Sequence, residues 1–172
     1  MLSTRLKKFA GIIVDAGKVK IIKTGMDTKV SSGDLTLCTV WIADILGDHN
    51  KVTHVLVVHA GPDCTSDSIV RNVESKMVEE KISGRKIQTV AFRCPPGINR
   101  PNPDEACLKN TLTVVTKASN LLNANSGDTE SMTGDAPIVE GHNVAECTFN
   151  IRADGTKDIP VDKGIFTRCN IM

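Results

Sequence analysis

The sequence predicts an α/β chain of the α+β kind, with mostly antiparallel β-sheets layered with two main helices. Three observations carry that expectation. Short apolar or alternating runs bounded by turn residues fill the first half. Two later segments repeat their apolar residues at helical spacing, and an Asp-Gly hairpin signal lies near the end. The resulting order is ββ, ββ, α, β, α, ββ. At 172 residues the chain has the length to bury one core without staples, so residues 1–172 are read as a single domain.

The first element is read as a hairpin, Phe9-Ala10-Gly11-Ile12-Ile13-Val14 returning through Lys18-Val19-Lys20-Ile21-Ile22 around Asp15-Ala16-Gly17. Lys29 to Asp34, with its Ser31-Ser32-Gly33 core, reads as a loop. Leu35 to Ala43 is β-rich, Gly47-Asp48-His49-Asn50 turns the chain, and Lys51 to His59 carries four valines that favour a returning strand. After Gly61-Pro62, Ser66 or Asp67 caps a helix whose Ile69, Val70, Val73, Met77 and Ile82 lie on one face. A strand over Ile87–Phe92 and a proline-rich loop lead to a second helix starting near Asp104, striped by Leu108, Leu112, Val115, Ala118 and Leu122. Residues 123–137, small and polar, read as a mobile loop. Asp154-Gly155 between Ala145–Ile151 and Lys157–Val161 closes the sequence as a hairpin.

Composition narrows the function classes. The net charge is +1, from 21 basic and 20 acidic residues, so bulk electrostatics draw in neither nucleic acid nor an anionic membrane. Aromatics make up 3% of the chain and tyrosine is absent, which leaves few platforms for stacking bases. The basic N-terminus precedes an apolar run too short and broken for a signal peptide or a spanning helix. Six cysteines (Cys38, Cys64, Cys94, Cys107, Cys147, Cys169) are scattered without a CxxC pair, arguing for reduced thiols and a cytoplasmic setting. Export would leave disulfides open, since spacing does not fix connectivity. His59, Cys64, Asp63 and Asp67 do not form a recognised metal-ligand pattern, and no metal is expected.

Cys38 and His59 stand out once the strands are set in register. An even-length loop centred between Asp48 and His49 makes them direct cross-strand partners, pairs Val40 with Val57 and Ile42 with Val55, and puts all six on one face. Trp41 and Leu56 then share the other face, as does His54 opposite Ala43. His49 at the turn tip and His142 beside Gly141 are read as solvated. A thiol beside an imidazole is the minimum for thiolate chemistry, because a nearby imidazolium draws the thiol from its ordinary pKa of about 8.5 toward neutrality. The loop before Cys38, with Ser31, Ser32, Gly33 and Asp34, is expected to orient His59, and backbone N–H groups near Cys38 to form an oxyanion hole.

This arrangement resembles the chemoreceptor glutamine deamidases, the CheD family, and more distantly the glutamine-deamidating toxins related to cytotoxic necrotizing factor. The residues that carry the likeness are Ser32 six positions before Cys38, then a turn, then a returning strand ending in His59-Ala60-Gly61-Pro62. Helix, strand, loop, helix and closing hairpin follow in the same order, and Cys147-Thr148-Phe149-Asn150-Ile151 before Asp154-Gly155 looks like the family's C-terminal strand and turn. This chain has Leu35-Thr36-Leu37 where the family carries a glycine-rich stretch before its cysteine.

The resemblance implies a cysteine-dependent protein-glutamine deamidase with Cys38 as nucleophile, His59 as general base and Ser32 as orienter. No cofactor is needed, and the partner is a protein presenting a glutamine side chain. The enzyme would be a chemotaxis protein of the bacterial cytoplasm or an effector delivered into a host cell. The alternative is a catalytically silent domain of the same fold that binds a partner protein, with Cys38 packed in the core. The last four residues, Cys169-Asn170-Ile171-Met172, have the C-a-a-X form, which would prenylate Cys169 only in a eukaryotic cytosol.

Overall fold

The structure, a computed structural model, describes residues 10–34, 37–94, 105–125, 138–140 and 146–159. Among them nine strands form two sheets, and two helices cover one of these. The strands are β1 (Ala10–Ile13), β2 (Val19–Lys23), β3 (Thr28–Asp34), β4 (Thr39–Leu46), β5 (Val52–Ala60), β6 (Lys86–Cys94), β7 (Ile138–Glu140), β8 (Glu146–Ile151) and β9 (Lys157–Asp158). The helices are α1 (Ser66–Glu79) and α2 (Glu105–Asn125). One sheet runs β1-β3-β8-β9 and the other β2-β5-β4-β6-β7. Only the β1–β3 and β6–β7 pairings are parallel, so the mostly antiparallel α+β architecture expected from the sequence is the one observed.

The five-stranded sheet is the middle layer, and its residues alternate between two cores. Trp41, Ala43, Ile45, Leu56 and Val58 face α1 and α2, where Ile69, Val73, Met77, Val115, Ala118 and Leu122 meet them. Cys38, Val40, Ile42, Val55 and Val57 face the other sheet and pack against Val30, Cys147, Phe149 and Ile151. Burial on both faces explains why β4 and β5 are almost continuously apolar instead of alternating. Polar groups inside the helix layer are matched: Trp41 Nε1 donates to Thr89 Oγ1, which bonds Ser119 Oγ of α2, and Thr39 meets Thr111. The N-cap of α1 is Thr65, not Ser66 or Asp67, because Thr65 and Ser68 exchange hydrogen bonds in a capping box.

Several expectations are corrected. β1 and β2 do not form a hairpin. The turn at Asp15 is made, with Lys18 N–H donating to the Asp15 carbonyl, but β1 pairs with β3 and β2 with β5 in different sheets. Residues 29–34 are not a loop but most of β3, an interior strand between β1 and β8. Its bulge falls between Ser31 and Asp34, where Gly33 takes φ +67°, a left-handed value that glycine adopts without strain. Helix α2 runs on to Asn125, so 123–125 are helical and only the remainder of the expected loop, 126–137, lies outside the described residues. The short β7, beside β6, has no counterpart in the sequence reading. The proline-rich loop, His142 and the Cys169 tetrapeptide also lie outside the described residues. No helix among the described residues is long and apolar enough to cross a membrane.

Candidate functional site

The β4–β5 register decides where Cys38 and His59 lie. His59 faces Val40, not Cys38, and Ile42 faces Val57. Two local features produce the shift. An odd-numbered connection separates Leu46 from Val52, closed by a 3-10 turn over Asp48–Asn50, and a bulge between Ile45 and Leu46 adds a further residue, Thr53, on β5. Each one-residue displacement would flip every side chain of the returning strand, and the two together restore its facing. Cys38, just before β4, is therefore on the same face as His59 but one pairing step away. It lies against Gly61, where a Cβ would meet its Sγ at 3.8 Å. Residues displaced by one such step are diagonal neighbours, about 7–8 Å apart at Cα.

His59 is held tightly. Its ring is 1% exposed, and its backbone is tied to β2's approach: Lys18 accepts from its N–H, and its carbonyl accepts from Gly17 N–H. Nδ1 lies 2.8 Å from the Val14 carbonyl oxygen. A carbonyl can only accept, so Nδ1 carries a proton there and Nε2 is the ring nitrogen left for other chemistry. Nε2 is buried and has no hydrogen-bond partner among the described residues. Unpartnered buried nitrogens are costly and uncommon, which marks this atom as a candidate for chemistry.

Ser32 does not fill the orienting role expected of it. Its side chain is buried between the sheets, but the hydroxyl donates to the Gly33 carbonyl and accepts the Cys147 N–H at 3.0 Å. It thus closes the β3–β8 bulge, and the Val14 carbonyl orients His59 instead. No side-chain pattern could have revealed Val14, because the group involved is backbone.

Arg93 is a second residue that the sequence reading passed over. Phe92 stacks on Trp41 in the helix layer, so Arg93 turns to the inter-sheet side, opposite Val40 and 5% exposed. His59, Val40 and Arg93 form one row across β5, β4 and β6, with Cys38 on the same face one step along. The signal was an arginine directly after the apolar run Val90-Ala91-Phe92.

The other described histidines, His49 and His54, stand apart from this row. His54 faces Ile45, not Ala43, in the helix-side layer, and His49 is exposed with φ +56°. Cys38, Cys64 and Cys147 are thiols outside any disulfide. Among the described residues no group of three or more His, Cys, Asp and Glu side chains is placed to hold a metal ion. An open concavity lined by Lys29, Phe149, Asn150 and Lys157 shares no residue with the Cys38 row. Comparison with known protein families and with curated proteins finds no match for this chain.

Proposed function

We propose that the protein is a cysteine amidohydrolase that deamidates a glutamine side chain on a partner protein, with Cys38 as nucleophile and His59 as base. The observation that carries this reading is the His59 ring: buried, held through Nδ1 by Val14, and presenting a bare Nε2 on the face that Cys38 occupies. Nε2 accepts the Cys38 proton, and the thiolate attacks the carboxamide carbon. The imidazolium returns that proton to the departing nitrogen, so a C–S bond forms, the C–N bond breaks and ammonia leaves. Water, deprotonated by His59, then opens the thioester to a carboxylate and restores the thiol.

Alkylation of Cys38 by iodoacetamide at neutral pH, followed peptide by peptide in a mass spectrometer, tests the pair. Cys38 is expected to react at least about tenfold faster than Cys147, which is buried in the same core, and to lose that advantage in His59→Gln. Equal rates for the two cysteines, or a rate indifferent to His59, would leave the silent partner-binding fold as the reading. A gain of about 1 Da on a partner protein, absent with Cys38→Ala, would then identify the substrate.

A further inference from the structure

Thr53, the extra residue of the β5 bulge, is tied down on several sides. Its Oγ1 donates to the Ile45 carbonyl of β4 at 3.2 Å, accepts from Arg85 Nη1 at 2.9 Å and lies 3.0 Å from His54 Nδ1. A hydroxyl has one proton and two lone pairs, a carbonyl only accepts and a guanidinium only donates. The proton therefore goes to Ile45, and His54 Nδ1 must donate to the remaining lone pair. The Thr53 carbonyl is fixed as well, by the N–H and the hydroxyl of Thr24 just after β2, both at 3.0 Å. The Thr53 methyl takes the space of a side chain at Gly47, where a Cβ would come within 2.6 Å of Thr53 Cγ2.

We propose that the Thr53 hydroxyl is the register lock of β5 and, through it, the group that positions His59 on the Cys38 face. Were the ladder to run on without a bulge from Leu46 and Val52, Ile42 would face Leu56 and Val40 would face Val58. His59 would then fall opposite Thr39, which bonds Thr111 in the helix-side layer, and would lose the Val14 carbonyl. The apolar pattern does little to choose between these registers, because β5 offers Val55 and Val57 to one core and Leu56 and Val58 to the other. The bulge makes the choice, and giving it up would forfeit the three hydrogen bonds of one hydroxyl at once. The positioning role rests on the proposed pairing of Cys38 with His59, whereas the register lock does not.

NMR of the native protein near neutral pH reads the lock first. The ring-nitrogen shifts of His54 should place its proton on Nδ1. A proton on Nε2 alone would spend the Thr53 hydroxyl on His54 instead of Ile45, and overturns the proposal without any variant. Contacts between β4 and β5 then read the register. In Thr53→Val, which keeps the shape and removes the hydroxyl, the contacts of Ile42 should move from Val57 to Leu56, and the His59 ring should lose its bonded Nδ1–H signal. Thr53→Ser should keep both as in the native protein. Gly47, with φ −95°, suits alanine in backbone terms, so Gly47→Ala acts only by turning the Thr53 side chain off its partners and should shift the register in the same way. Adding Thr53→Ser, which has no methyl to clash, should bring it back. Native contacts in Thr53→Val, or a slip shared by Thr53→Ser, overturn the proposal. Should Thr53→Val fail to fold, the Gly47 pair decides: native contacts in Gly47→Ala, or a slip that Thr53→Ser does not rescue, overturn it. Alkylation of Cys38 separates this from the deamidase reading. In Thr53→Val the rate should no longer respond to His59→Gln. A rate already indifferent to His59 in the native protein retires the positioning role with the deamidase, while the contacts of Ile42 still decide the lock.

Discussion

His54 shows what one buried imidazole does to stability. It sits opposite Ile45 in the helix-side layer, with Nδ1 3.0 Å from Thr53 Oγ1, and Arg85 donates to the same hydroxyl. Burial, and then the positive charge of Arg85, hold its pKa below the ordinary 6.5. Lys23 pushes the same way, and Glu80 pushes back. The folded protein therefore binds a proton at His54 less readily than the unfolded chain. The stabilisation is complete above pH 6.5 and is lost as the pH falls from there through the lowered folded value. Urea midpoints measured downward from pH 7.5 should fall through this window in the native protein and fall less in His54→Gln. An equal decline in both would show that other groups carry the pH dependence. At the residue scale the sequence disclosed which side chains could do chemistry, Cys38 and His59 among them. It could not disclose the partner of His59, since every residue owns a carbonyl and only the folded path brings that of Val14 to the ring.

Register is the element-scale question, and here the expected parity held while the expected position did not. Both strands are apolar on both faces, so the shared face of Cys38 and His59 came from the even loop assumed between them, and it holds because the odd connection and the bulge at Thr53 cancel. Their direct pairing depended on the loop, where the left-handed φ of His49 and Asn50 and the extra residue at Thr53 are decided by local backbone geometry. The β1–β2 assignment failed for a different reason: a good turn at Asp15 says nothing about whether its flanks stay together. β3 was hidden because its inward positions include Thr28 and Ser32. These polar residues satisfy themselves on backbone groups of Met26, Gly33 and Cys147 and so can live in a core. Helix α1 was clearer, since its stripe of Ile69, Val73 and Met77 is fully buried. Its N-terminus rests on one exposed reciprocal pair, so Thr65→Ala should cost about 1 kcal/mol in chemical denaturation while leaving Cys38 reactivity intact. A change within error would show that the cap contributes nothing to the folded state.

Across the whole molecule the two sheets are joined by more than apolar contact. Lys157 of β9 reaches Asp44 of β4 with both side chains largely buried, and the same ammonium donates to the Gly155 carbonyl at 2.7 Å. Gly155, at φ +90°, lets the β8–β9 turn approach Val52 closely, and a Cβ there would come within 2.9 Å of it. Removing one charge strands the other, so Asp44→Ala is expected to destabilise by about 3 kcal/mol, whereas Asp44→Leu combined with Lys157→Met should be close to neutral. A double variant no better than the single would mean that the ion pair, not its space, holds this corner. Val14 makes the second junction by a different means. Its N–H donates to Ser31 in one sheet and its carbonyl receives the ring of His59 in the other. A single peptide segment thus works as an interlock. The imidazole has its Nδ1 proton fixed by Val14 only while the two layers are seated together, so under the proposed mechanism a partly folded chain, with a layer adrift, would carry Cys38 without its base.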